Sequence, residues 1–126
     1  MKREAIRTEK APGAIGPYSQ GVRAGQLVFT SGQIPLTPVG EMVRGDIQSA
    51  ARQALSNVES ILAAGGASMN DVVKVTVFLT NMADFAAVNQ VYAERFREPF
   101  PARSAIQVVR LPLDAPLEIE AVAVVP

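Results

Sequence analysis

Arg103 stands directly after Pro99-Phe100-Pro101-Ala102, where a strand is about to begin. A guanidinium is a planar fork of donors that fits a carboxylate through two parallel hydrogen bonds. An arginine entering a core at this point is a candidate carboxylate binder, set against the plainer reading of a surface ion pair. Glu118 and Glu120 share a strand face with Val122 and Val124. A carboxylate on a half-apolar face has its pKa pushed up and can serve as acid or base; the plainer reading is a pair of edge charges. Tyr18 and Ser31 place hydroxyls beside glycine-rich turns, and Gly32 follows Ser31. Glycine lets a backbone approach a ligand closely, although packing and turn formation explain these residues equally simply. Lys74, between Val73 and Val75, has nothing beside it in sequence to make it a Schiff-base lysine. Gly13 and Gly16 form a G-x-x-G, but no helix opens from it and no basic surplus surrounds it, so a phosphate or RNA loop is discounted.

The missing residue types narrow the chemistry further. The 126 residues include no histidine and no cysteine. Thiolate catalysis, a Ser-His-Asp arrangement and zinc sites built from Cys and His are therefore excluded. A carboxylate-only magnesium or calcium site remains open, but no acidic cluster is there to build it. Twelve basic residues balance twelve acidic ones. That balance gives no long-range attraction for nucleic acid or anionic membranes. No stretch approaches the ~20 apolar residues of a membrane span, and Met1-Lys2-Arg3-Glu4 leads into no apolar run of signal-peptide length. A cytoplasmic protein is expected.

The elements that must position these groups follow from periodicity. Residues 5–8 read as a first strand, and Ala11 to Pro17 as a loop rich in Gly and Pro. Residues 20–23 and 27–31 read as strands joined by a turn at Ala24-Gly25. A loop over 32–45 leads to Asp46, a good N-cap. Behind it Ile47, Ala50, Ala51, Ala54, Leu55, Val58, Ile61 and Leu62 recur at helical spacing until Gly65-Gly66. The β-branched run 72–79 predicts a strand. Residues 82–97 predict a second helix with Phe85, Val88, Tyr92 and Phe96 on one face, stopped by Pro99 and Pro101. Strands over 103–111 and 117–125 complete the order β-β-β-α-β-α-β-β, an α+β fold in a single domain over 1–126.

Two strands look apolar on both faces. Leu117, Ile119, Ala121, Ala123 and Val125 oppose Glu118, Glu120, Val122 and Val124. Val73, Val75, Val77 and Leu79 oppose Val72, Lys74, Thr76 and Phe78. Two helices cover one face of a six-stranded sheet, so the other face is expected to meet another subunit.

These segments together resemble the Rid/YjgF family. The blocks are Ala11-Pro12-Gly13-Ala14-Ile15-Gly16-Pro17-Tyr18-Ser19-Gln20, Phe29-Thr30-Ser31-Gly32-Gln33-Ile34-Pro35, residues 73–79, Pro101-Ala102-Arg103-Ser104 and Glu118-Ile119-Glu120-Ala121. The resemblance implies a chorismate-mutase-like fold, two helices on one face of a six-stranded mixed sheet, and a homotrimeric barrel with clefts between subunits. It implies hydrolysis of enamines and imines such as 2-aminoacrylate to 2-keto acids and ammonia, without cofactor or metal. Arg103 matches the family's carboxylate-binding arginine, and Glu118 the residue that positions or activates water. Tyr18 and Ser31 match hydroxyls lining the cleft, and Gly32 offers backbone contacts. Ala105 stands where many members have cysteine, which removes thiol redox behaviour and leaves the hydrolytic chemistry intact.

Two other functions are compatible with the same residues: binding or sensing of a keto acid on Arg103 without turnover, and an RNA-acting or chaperone-like role. The expected partners are a small imine or enamine carboxylate and further copies of the chain, with no membrane and no nucleic acid. With antiparallel last strands, Arg103 and Glu118 begin at opposite ends, about 23 Å apart along the strand. The two are therefore expected to meet only between subunits.

Overall fold

The computed structural model describes residues 2–126; Met1, where the expected domain begins, lies outside the described residues. The strands are β1 Arg3–Ile6, β2 Gly21–Ala24, β3 Leu27–Thr30, β4 Val72–Leu79, β5 Ala102–Gln107 and β6 Leu117–Val124. The helices are α1 Ile47–Ala64 and α2 Phe85–Arg95. The sheet order is β1-β2-β3-β6-β4-β5. β5 runs parallel to β4, and the pairs β1–β2, β2–β3, β3–β6 and β4–β6 are antiparallel. The sheet is thus mixed, and α2 is the crossover that a parallel pair requires.

Helix α1 begins where Asp46 Oδ1 accepts from the Ser49 N–H at 2.8 Å, satisfying an amide that no helical carbonyl can reach. Its Ala50, Ala51, Ala54, Leu55, Val58, Ile61 and Leu62 are buried on the sheet, as their spacing predicts. Small alanines let the helix lie close, while Leu55, Ile61 and Leu62 fill the space against Val28, Val75, Leu117 and Ile119. Gly66, at φ 89, reverses the chain toward β4.

Four expectations shift. The first strand lies at 3–6 rather than 5–8, because the Thr8 amide is taken instead by the side chain of Gln20 at 2.9 Å. The second helix starts only at Phe85, since Asn81 caps a short 3-10 turn over Met82–Asp84. β5 ends at Gln107 rather than Leu111: β4 stops at Leu79, and the Val108 amide makes the last bond, to Leu79 O at 2.8 Å. In β4 a bulge between Val72 and Lys74 buries Val72 and turns Val73 out, the reverse of strict alternation.

The helix-free face carries Leu27, Phe29, Ile106 and Val124, all more than a third exposed, with Phe78, Val122, Lys74, Glu118 and Glu120 partly exposed among them. No helix of the described residues is long and apolar enough to cross a membrane.

Candidate active site

The predicted site residues fall into two groups, on opposite faces of the sheet. Arg103 is one residue inside β5 and lies level with buried Val75 of β4, so it points to the helix side. There its guanidinium sits 4.7 Å from the ring centre of Tyr92 and 5.1 Å from that of Phe85. Nη1 donates to Asn89 Oδ1 at 2.7 Å. Two aromatic faces attract the cation and fix the plane of the fork. Among the described residues no carboxylate pairs with it. The fork opens instead into a cavity of about 360 Å³ shared by Asn89, Tyr92, Phe100 and Pro101. The Tyr92 hydroxyl is buried with no hydrogen-bond partner among the described residues, and burial raises its pKa against the opposing pull of Arg103.

Phe85, Asn89 and Tyr92 recur at helical spacing, so one face of α2 supplies the whole setting of Arg103. Phe85 and Tyr92 are in the predicted apolar face, but Asn89 escapes a sequence reading. Its signal is a polar amide, uncommon mid-helix, four residues after Phe85.

Glu118 alternates with buried Leu117 and Ile119 along β6 and so faces the helix-free side. It lies in a cavity of about 180 Å³ that also includes Tyr18 and Gly32. Burial lifts its carboxyl above the ordinary glutamate value, and the neighbouring charge of Glu120 adds to the lift. Gly32 is pressed against it: a β-carbon there would stand 2.6 Å from Glu118 Cδ and closer still to Oε2. The close approach is enforced by the bridge on the next residue. Gln33 N–H donates to Ile119 O at 2.8 Å, and Ile119 N–H donates to Gln33 O at 3.0 Å. Gly32 thus makes room for the carboxylate.

Ser31 and Tyr18 have local duties. Ser31 Oγ donates to Ser19 O at 2.6 Å and its amide to Gln20 O at 2.8 Å, which binds the end of β3 to the loop before β2. Its hydroxyl proton is therefore committed, and a ligand would find only its lone pairs. Tyr18 is 53% exposed, and its hydroxyl accepts from the Ile15 amide at 3.4 Å. The loop carrying it is held by one buried side chain: Gln20 Nε2 donates to Thr8 O at 3.0 Å and Pro12 O at 2.8 Å.

Arg103 and Glu118 do not meet within one chain, as expected, but the distance along the strands is not the main reason. Glu118 lies level with Phe78, and Phe78 with Ile106, three positions beyond Arg103. The offset is about 10 Å along the strands rather than 23 Å. The sheet between them decides the matter, since the two side chains leave it on opposite sides. Among the described residues no group of three or more His, Cys, Asp or Glu side chains is placed to hold a metal.

A six-stranded mixed sheet with two helices on one face defines a chorismate-mutase-like α+β architecture, with the candidate residues Arg103 and Glu118 on opposite sides of the sheet. Residues 8–125 match the family model described as Endoribonuclease L-PSP, and the chain belongs to this family, the Rid/YjgF family. It is 56% identical to a RutC family protein of Pyrococcus horikoshii, covering 96% of this chain and 97% of that one. It is 51% identical to the 2-iminobutanoate/2-iminopropanoate deaminase of Salmonella typhimurium, covering 96% and 97%. The crystal structure of Escherichia coli TdcF with bound serine superposes with a TM-score of 0.92 at 52% identity, covering 98% of this chain and 99% of that one.

Proposed function

We propose that this protein hydrolyses small 2-imino and enamine carboxylates to 2-keto acids and ammonia. The observation that carries the reading is the Arg103 fork, held by Asn89 and two rings and facing an open cavity without a carboxylate partner. A relative of half-identical sequence is named as an imine deaminase, and another holds serine, itself a small amino acid with a carboxylate.

The chemistry needs two groups and no cofactor. Arg103 binds the substrate carboxylate and so fixes the adjacent iminium carbon. Glu118, with its lifted pKa, takes a proton from water as the oxygen attacks that carbon, and returns one to the departing nitrogen. As the C–N bond breaks, Glu118 takes the proton of the new hydroxyl, the C=O bond forms and the nitrogen leaves as ammonia. Glu118 is the catalytic acid and base, Arg103 the binding group, and Tyr18, Ser31 and Gly32 the lining.

Because the two groups leave the sheet on opposite faces, the complete site joins Arg103 of one subunit to Glu118 of the next in a homotrimer. The apolar helix-free face supports that assembly: Leu27, Phe29, Ile106 and Val124 would be covered by it. The equal numbers of acidic and basic residues favour a small-molecule substrate over RNA.

The test couples a serine or threonine dehydratase to the protein and follows keto-acid release. Wild type speeds the release. Arg103→Ala abolishes the effect with the fold intact, and Arg103→Lys fails badly, since a point charge does not replace a fork. A wild type that leaves the release rate unchanged overturns the reading.

A further inference from the structure

One residue on the buried side of α1 is polar. Asn57 is fully buried, although Ala54 and Ile61, one turn before and one turn after it, belong to the hydrophobic core. An amide in such a place costs stability unless its hydrogen bonds are made. Here they are made, and they point one way. Nδ2 donates one hydrogen to Leu36 O at 2.8 Å and the other to Ile34 O at 3.2 Å. Oδ1 accepts from Gln53 Nε2 at 2.9 Å, a bond from four residues earlier in the helix. Gln53 thus keeps the donors of Asn57 turned toward the loop.

That loop is the one that shapes the surroundings of Glu118. Gly32 is pressed against the carboxyl, Gln33 is bridged to Ile119, and Ile34 and Leu36 line the same cavity as Glu118. Pro35 O accepts from the Val43 amide at 2.8 Å. The bridge and the Val43 bond tie the loop to other backbone. Asn57 ties it to the core, through the two residues that form its apolar wall. Leucine and isoleucine side chains in contact with a carboxyl keep water from it, and that exclusion is the first cause of its raised pKa.

We infer that Asn57 is a positioning residue for Glu118: from the core it fixes the wall of Ile34 and Leu36, and with it the place and the hydration of the catalytic carboxyl. The inference rests on the deaminase reading and adds a residue that acts without touching substrate. A tie that served only the fold would change Tm alone. A positioning tie also changes turnover and the ionisation of Glu118, and leaves the carboxylate site at Arg103 as it is.

The experiment compares wild type, Asn57→Ala and Gln53→Ala; alanine keeps the helix. The substrate is an imine formed in situ by an amino-acid oxidase. Asn57→Ala loses both bonds to the loop, and its kcat is expected to fall about thirtyfold with KM within about threefold of wild type. The Glu118 carboxyl, followed by carbon-13 NMR, is expected to titrate at lower pH than in wild type, because water now reaches it. The other titratable groups around it, Glu120 on β6 and Tyr18 on the preceding loop, are unchanged in both variants. Gln53→Ala keeps the loop bonds but frees the amide to turn, and a fall in kcat of about threefold is expected. Gln53 is only partly buried, so this variant decides the matter if Asn57→Ala does not fold. A folded variant with lowered Tm but wild-type kcat and wild-type Glu118 titration overturns the inference. So does an activity loss that merely tracks dissociation of the oligomer in sedimentation. A wild type inactive on every imine overturns the deaminase reading instead, and the Glu118 titration then still tests the tie.

Discussion

The two halves of the site are built in opposite ways. The Arg103 half rests on regular structure: a strand supplies the guanidinium, one helix supplies both rings and the amide, and every partner is in place within a single chain. The Glu118 half is a meeting of loops. Its carboxylate comes from a strand, but its walls come from residues 12–20, 32–36 and 112–113, held by Gln20, by the Gln33–Ile119 bridge and by Arg44. The first half needs rigidity, because a fork that rotates loses its second hydrogen bond. The second must tolerate a carboxyl that is sometimes protonated beside apolar side chains, and loops can be shaped to that purpose at little cost to the core. On the proposed reading the chain carries one preformed anion site and one adaptable acid–base site, and it separates them by its own sheet.

The largest effect is expected from breaking each half in a different chain. Arg103→Ala and Glu118→Ala each remove nearly all activity. Co-refolded in equal amounts, the two inactive variants recover roughly a quarter of wild-type activity, because a quarter of the junctions in random trimers pair an intact Arg103 with an intact Glu118. Absence of recovery, with subunit mixing confirmed by mass spectrometry, would place the two groups in one site of one chain. It would contradict the opposite-face geometry.

A smaller loss is expected when only the loop half is disturbed. In Gly32→Ala the new methyl overlaps the Glu118 carboxyl, which must swing away. A catalytic group misplaced by about 1 Å can cost about a hundredfold in kcat. Binding of a 2-keto acid, read by calorimetry, stays within a few-fold of wild type, since the arginine that holds its carboxylate comes from the neighbouring subunit and is positioned by Asn89, Phe85 and Tyr92, which the substitution leaves untouched. Equal losses in binding and turnover would mean that the halves are not independent.

The preformed half was also the more legible one in the sequence. Helical spacing placed Phe85 and Tyr92 on one face, and Arg103 stood out as a charge entering a strand. Sequence pattern could locate these because regular elements impose a period. Asn89 was missed, since a single polar residue adds nothing to an apolar period. In the loop half, Glu118, Tyr18 and Gly32 were named; Gly32 was expected to offer backbone contacts, and the structure adds that its missing side chain makes room for the Glu118 carboxyl. Asn57 was invisible: the carbonyls it serves lie 23 and 21 residues away, and no local pattern encodes that. The fold was read almost completely, its errors lying at strand ends, at the start of the second helix and at the β4 bulge, where local caps and tertiary hydrogen bonds override the sequence period.

The smallest effect concerns the charge that sharpens Glu118. Its carboxyl is lifted first by burial and then by Glu120. Glu120→Gln removes only the second cause. The Glu118 pKa then falls part of the way toward the ordinary glutamate value, and the acid limb of the kcat/KM profile moves to lower pH with it. The same substitution has a stability signature. An acid whose pKa is raised by folding stabilises the native state fully below its unfolded pKa, and that contribution is lost as pH rises through the folded pKa. Wild type therefore loses stability across that window, and Glu120→Gln loses less. The difference in Tm between the two proteins is nil in acid below the ordinary carboxylate range and grows toward neutral pH in favour of the variant. An acid limb that stays in place in Glu120→Gln would show that the limb belongs to another group, and Glu118 would lose its place as the proton carrier.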